Sequence, residues 1–163
     1  MRYLFIILFF GVQLAGFSQE SDYDKMLKEY YKNTVPTISP EDLYKRMKEG
    51  AKIHILDTRM NKEYEVSSIK GAVRVGMSVS SKKMETVEKN DLIVVYCTIG
   101  ARSESVGEKI KKAGYRNVYN LYGGIIEWVN KGYPVYNKGT ETDSVHVFSK
   151  EWGKWLEKGT GVY

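Results

Sequence analysis

The sequence predicts an α/β fold with a central, mostly parallel sheet and helices on both faces. Three observations carry this reading. The apolar run at 92–96 reads as a buried strand, and 53–57 and 117–121 read as further strands of the core. Stretches with helical spacing alternate with them, as crossover helices do in a parallel sheet. The only cysteine, Cys97, follows directly on the middle run. It therefore sits at the carboxyl edge of a strand, where open α/β sheets bind ligands.

The chain opens on the pattern of a secretory signal. Arg2 and the amino terminus form its basic end, Leu4 to Phe10 its apolar core, and Gly16 and Ser18 the small residues before cleavage, expected after Ser18. Gln13 interrupts the apolar stretch and no basic stop-transfer cluster follows, so no stable membrane span is expected after cleavage. The protein is expected to be exported to a periplasm or the medium; the alternative is tethering by an uncleaved N-terminal segment. The organisation read from the sequence is a signal peptide at 1–18, a lead-in or N-terminal helix at 19–34, one domain at 35–137 and a C-terminal extension at 138–163. The net charge of +5 is spread over Lys-rich helical faces such as Lys109, Lys111 and Lys112, with acids interspersed. That is a solvated surface and argues against nucleic acid as a partner, although a modest positive field favours small anions.

The elements follow in order. Tyr23, Met26, Leu27, Tyr30 and Tyr31 lie on one helical face. Ser39 caps the next helix, with Pro40 at its first position, Glu41 and Asp42 in its first turn, Leu43, Tyr44 and Met47 facing inward, and Gly50 ending it. The strand at 53–57 contains His54, read as a surface or packing residue. Asp57 and Arg59 at its end are expected to support the site structurally, tying the following loop to Glu63 by ion pairing. A short strand at 72–75 precedes a weakly helical stretch at 80–89 with Met84 and Val87 inward. After the strand at 92–96 and the cysteine loop, Ser103 is read as the N-cap of a helix carrying Val106, Ile110 and Ala113 and stopped by Gly114. The last core strand, 117–121, leads to a turn at Gly123-Gly124 and a helix at 125–131 with Trp128 in the core. In the extension, a polar linker (138–144), a strand (145–148) and a helix (152–158) are expected. Residues 155–163 echo 128–136 at five of nine positions. The extension's aromatic residues are expected to pack on the core, or to form a patch for a protein partner.

The chemistry centres on Cys97-Thr98-Ile99-Gly100-Ala101-Arg102-Ser103. A loop curled before a helix start aims several N–H groups inward and attracts an anion. Gly100 permits the tight curve, and Arg102 adds a permanent charge with a fork of donors. A cysteine at the base of such a cradle is expected to be a thiolate near neutral pH. Thr98 to Ser103 are the candidate substrate-binding residues. A lone cysteine allows no internal disulfide, and an unpaired thiol in an oxidising compartment points to use. No Cys/His cluster is available to hold a metal, and no cofactor is expected.

Four residues lie between Cys97 and Arg102. Cysteine-dependent phosphatases of the tyrosine type carry one more, in a wider cradle suited to phosphate. The shorter loop here resembles the Cys-x-x-Gly-x-Arg loop of the rhodanese-like family. Asp57-x-Arg59, followed by Glu63-Tyr64 and Ser68-Ile69-Lys70-Gly71-Ala72, resembles a second signature of that family, with Ser68 where histidine is usual and Lys70 where proline is usual. Gly123-Gly124-Ile125-x-x-Trp128-x-x-x-Gly132-x-Pro134-Val135 resembles its closing signature, whose glycine turn lies beside the active-site loop. The resemblance implies a rhodanese-like three-layer fold and sulfur transfer through a persulfide on Cys97. The donor would be a small sulfur-containing anion such as thiosulfate, or a persulfide, and the acceptor a thiol or cyanide-like nucleophile. The uncharged tip formed by Thr98 and Ile99 also suits a larger thiol or protein persulfide. Two other readings are a non-catalytic binding or persulfide-carrier module, and phosphatase or arsenate reductase chemistry on the same cradle.

Overall fold

The computed structural model describes residues 21–163. The signal-peptide reading and its cleavage point lie outside the described residues, as do residues 19 and 20 of the lead-in.

The run Leu-Ile-Val-Val-Tyr forms β4 (Leu92–Tyr96), in the middle of a five-stranded parallel sheet. Its neighbours are β2 (Ile53–Asp57) and β5 (Asn117–Leu121), with β3 (Val73–Arg74) and β1 (Thr37–Ile38) at the edges; the order is β1-β5-β4-β2-β3. A central parallel strand is covered on both faces, which is why β4 reads as an unbroken apolar run. Successive side chains divide between two cores. Val94 and Tyr96 join Ile55, Leu43 of α2 (Pro40–Lys48), and Ile125, Ile126 and Trp128 of α5 (Gly124–Asn130) on one face. Ile93 and Val95 join Leu56, Met84, Val87, and Val106 and Ile110 of α4 (Ala101–Lys112) on the other. The result is the three-layer α/β architecture expected from the sequence.

Local chemistry sets the ends of the elements. Ser39 Oγ accepts from the Asp42 N–H at 3.0 Å, and Pro40 opens α2. Ser21 and Asp24 form a capping box on α1 (Asp22–Tyr30). The short α3 (Asn61–Val66) follows β2 and carries the buried Glu63. His54 bonds Asp91 through Nε2 at 2.9 Å, the packing role expected of it. The stretch at 80–89 is shorter in helix than expected, a 3-10 turn over Ser81–Met84, with Met84 and Val87 buried.

Three expectations require correction. Ser103 is not the N-cap of α4: the helix begins at Ala101, and Gly100 caps it with φ at +97°. Only glycine takes this left-handed conformation cheaply, while the Ser103 hydroxyl is drawn to the Gly100 carbonyl and to Asn120 of β5. Residues 138–144 are not a linker. Residues 138–142 form the tip and second strand of a hairpin between β6 (Val135–Asn137) and β7 (Thr140–Thr142), Lys138 and Gly139 at its two-residue turn both have positive φ, and Ser144 already begins the next strand. The helix expected at 152–158 is α6 (Lys150–Gly153), and the strand expected at 145–148 is β8 (Ser144–His146), which pairs with β9 (Thr160–Val162). Gly153 and the turn after it stop α6 one residue beyond Trp152. The internal echo survives in part: Gly132 and Gly159 share a φ of +82° and each precedes a strand. Trp155, however, follows α6 instead of lying within it.

The extension packs on the domain. Val145 and Val147 are fully buried, Trp155 lies 5.5 Å from Tyr23, and Trp152 meets Tyr30 edge-on at 5.1 Å.

Candidate active site

Cys97 leaves the carboxyl end of β4 and lies at the floor of a loop that turns into α4. Its residue is 1 % exposed. The Gly100 N–H points at Cys97 Sγ from 3.2 Å. The sulfur thus sits in front of the start of a twelve-residue helix, where unpaired N–H groups and the helix dipole favour negative charge.

Three sets of contacts hold this loop. From below, Asn120 of β5 donates through Nδ2 to Gly100 O at 2.9 Å, and the Ser103 hydroxyl shares its one proton between Asn120 Oδ1 at 2.7 Å and Gly100 O at 3.0 Å. From the rear, the Ile125 and Ile126 N–H groups donate to the carbonyls of Cys97 and Thr98 at 3.0 and 3.2 Å. Gly124, with φ at +59°, permits this approach: a Cβ there would lie 2.5 Å from Cys97 O and 2.6 Å from Thr98 O. From the side, the Tyr31 hydroxyl donates to Ile99 O at 2.8 Å and accepts from the Gly123 N–H at 2.9 Å. Tyr31 thereby ties the cysteine loop to the glycine turn.

The charges form two separate pairs, one fully buried and one half-buried. Arg59 is fully buried and closes on Asp57, with Nη2 at 2.6 Å from Oδ2, and also donates to Ser67 O. Burial opposes its charge, but the Asp57 carboxylate and the neighbouring groups outweigh that and hold Arg59 protonated. The expected tie from this pair to Glu63 is corrected by the structure. Glu63 pairs with Arg102, whose Nη1 and Nη2 lie 3.0 and 2.6 Å from its two oxygens. Asp57 and Arg59, two residues apart, close on each other, leaving the buried Glu63 to the guanidinium from α4. Burial pushes the Glu63 carboxyl up, but the Arg102 and Met60 hydrogen bonds and the two nearby guanidiniums hold it below its ordinary value. Arg102 in turn is held above its ordinary value: burial works against its charge, and Glu63 and the cysteine sulfur both favour it.

Above the sulfur lies a cleft of about 240 Å³. Cys97, Thr98 and Ile99 form its floor, and Tyr30, Phe148 and Trp152 its rim. The Phe148 ring covers the Arg102 guanidinium at 4.8 Å. Larger clefts lie away from the cysteine, among them one of about 560 Å³ beside Tyr64 and Tyr136 and one of about 530 Å³ beside Tyr122 and Lys131.

The residues picked from the sequence therefore separate by position. Cys97, Thr98, Ile99, Ala101 and Arg102 face the cleft. Gly100 presents its N–H to the sulfur from within the loop. Ser103, expected among the substrate-binding residues, is fully buried with its hydroxyl committed to Gly100 and Asn120, so it braces the loop instead. Asp57 and Arg59 brace the neighbouring strand end. Gly123 and Gly124 lie behind the loop and are not part of the cleft's lining. Sequence reasoning missed Tyr31 and Asn120 as loop supports, and Tyr30, Phe148 and Trp152 as the rim. Among the described residues, no group of three or more His, Cys, Asp or Glu side chains is placed to hold a metal ion.

The family model for the rhodanese-like domain matches residues 39–131, more than half of the chain, and the protein belongs to that family. A sulfurtransferase of Allochromatium vinosum is 32% identical over 101 residues, covering 62% of this chain and 94% of that protein. YrkF of Bacillus subtilis, provisionally named a sulfur carrier protein, is 31% identical over 99 residues, covering 61% of this chain; the match spans about half, 54%, of YrkF. The crystal structure of a rhodanese-related protein from Thermoplasma volcanium superposes with a TM-score of 0.55 at 29% identity, covering 63% of this chain and 99% of that one.

Proposed function

We propose that this protein is an exported sulfurtransferase that moves a sulfane sulfur through a persulfide on Cys97. The observation that carries the reading is the Gly100 N–H aimed at Cys97 Sγ at the start of α4. A nucleophile that becomes a terminal persulfide anion is stabilised by a donor placed at the sulfur, and the Gly100 N–H at the helix start supplies one. The Cys97 thiolate attacks the outer sulfur of thiosulfate. A sulfur–sulfur bond forms to Cys97, and the bond to the inner sulfur breaks with its electron pair leaving on sulfite. The persulfide anion rests against the Gly100 N–H and the helix start. An acceptor such as cyanide or a thiol then takes the outer sulfur and restores the thiolate, a covalent mechanism in two half-steps. The names of the Allochromatium relative and of YrkF support sulfur transfer or carriage in general.

Steady-state formation of thiocyanate from thiosulfate and cyanide tests the reaction. Parallel double-reciprocal lines are expected from two half-steps. Intersecting lines, or turnover retained by Cys97→Ser, would overturn the mechanism. The name of YrkF supports one second reading, a sulfur carrier that is loaded and unloaded by partners. Export rests on the pattern of residues 1–18; a mature amino terminus at Gln19 in a periplasmic or culture fraction would support it, and a full-length chain confined to the cytosol would refute it.

A further inference from the structure

We propose that the C-terminal extension makes this site selective for sulfur donors with an apolar body the size of an aromatic ring, with Phe148 and Trp152 as the specificity-determining residues. The inference rests on the sulfurtransferase reading above and names the substrate class of that same site.

The first observation concerns charge. Arg102 is the cation of the cysteine loop, but both of its terminal nitrogens are taken by Glu63, Nη2 also reaches Thr98 Oγ1 at 2.9 Å, and the Phe148 ring covers the guanidinium. Glu63 neutralises the charge that would draw an inorganic dianion to the mouth. The second observation concerns the rim. Tyr30 and Trp152, from two distant parts of the chain, meet edge-on, and with Phe148 they line the cleft above Cys97 beside the apolar Ile99 and Ala101. The cleft, about 240 Å³, is below the usual range for drug-sized ligands and suits one ring.

The third observation is backbone strain. Phe148 has φ at +69° and sits at the centre of a three-residue turn closed by the Ser149 N–H on Val147 O at 2.8 Å. A bulky residue rarely adopts this conformation, and a turn with no other duty would carry glycine. The Phe148 N–H is anchored on His146 Nδ1 at 3.0 Å, so the strained turn is held and its ring is kept over Arg102 beside the cysteine. Strain of this kind collects at ligand clamps.

The probe donors are benzenethiosulfonate and methanethiosulfonate, which share a reacting group and differ only in the body. The Cys97 thiolate attacks the terminal sulfur and becomes a persulfide, and the sulfinate leaves with the electron pair. Cyanide then removes the outer sulfur as thiocyanate. Wild type is expected to favour the benzene donor in kcat/KM by about tenfold or more, the discrimination an apolar pocket gives a larger apolar group. Trp152→Ala and Phe148→Ala should bring that ratio close to one. Competitive inhibition by benzenesulfinate against methanesulfinate on wild type tests the same preference without a substitution, should either variant fail to fold. Equal kcat/KM values for the two donors on wild type, or a ratio unchanged in folded variants, would overturn the aromatic rim while leaving sulfur transfer standing. No sulfur taken from either donor or from thiosulfate would overturn both readings together.

Discussion

The Arg102 guanidinium and the Glu63 carboxylate face each other fork to fork at 2.6 and 3.0 Å beneath the cysteine loop, and Thr98 closes the triangle at 2.9 Å from Arg102 and 3.1 Å from Glu63. Glu63 is fully buried and Arg102 keeps 26% side-chain exposure. The pair fixes the loop from α3 and makes Arg102 a clamp. Removing the Glu63 charge leaves a half-buried cation without its partner. Glu63→Gln is expected to cost about 2–3 kcal/mol of stability, allowing for Arg102's access to water. The urea midpoint checks this, and a change below about 0.5 kcal/mol would mean the clamp contributes little.

The same pair sets an acid dependence. The folded state holds Glu63 below its ordinary value, so its contribution is fully present above the unfolded-state pKa, about 4.3, and is lost as pH falls through the lower folded value. Thermal midpoints measured from pH 6 to 3 should fall less steeply in Glu63→Gln than in wild type.

Gly124 and Gly139 both have positive φ, but their surroundings differ. A Cβ at Gly139 meets nothing within 4 Å, whereas at Gly124 it meets two backbone carbonyls of the cysteine loop. Gly139→Ala should cost only the conformational term, about 1–2 kcal/mol. Gly124→Ala should cost clearly more and slow sulfur transfer, because the Cys97 and Thr98 carbonyls must move. Equal stabilities in denaturant titration would remove the argument for close approach.

Tyr31→Phe removes one hydroxyl that serves two loops. The Ile99 carbonyl and the Gly123 N–H lose their partner in a buried site. A loss of about 2 kcal/mol is expected. Faster alkylation of Cys97 by iodoacetamide should accompany it as the loop loosens.

His146 links pH to the rim. Burial lowers its pKa; Glu63 works against that shift, and Lys62, Arg59 and Arg102 add to it. The folded state therefore prefers the neutral ring, whose Nδ1 accepts from the Phe148 N–H. Between the depressed folded value and the ordinary one near 6.5, the unfolded chain binds more protons, so stability falls as pH drops below about 6.5. His146→Asn, which keeps an acceptor that does not titrate, should flatten the dependence of the thermal midpoint between pH 7 and 5.

The layered sheet was legible because its middle strand is an uninterrupted apolar run and its helices carry Ser39-Pro40, Gly50, Gly114 and Gly132 as punctuation. The cysteine loop was legible because its residues are contiguous. What the sequence concealed lies across long separations. Tyr31 and Ile99 meet over 68 residues, and Tyr30 and Trp152 over more than a hundred; neither pair has a local signal. Ser103 misled because a serine before a helical stripe has the composition of a cap, while its buried partner Asn120 lies on a different strand. Phe148 interrupts a strand-like run with a left-handed turn that its residue type gives no reason to expect.

The most direct test is the intact mass of the purified protein after thiosulfate treatment, compared between wild type and Cys97→Ser. A gain of one sulfur atom on wild type alone, reversed by cyanide, is the expected result. No gain on wild type, while Cys97 remains open to alkylation by iodoacetamide, would contradict a thiosulfate-loaded persulfide at this site.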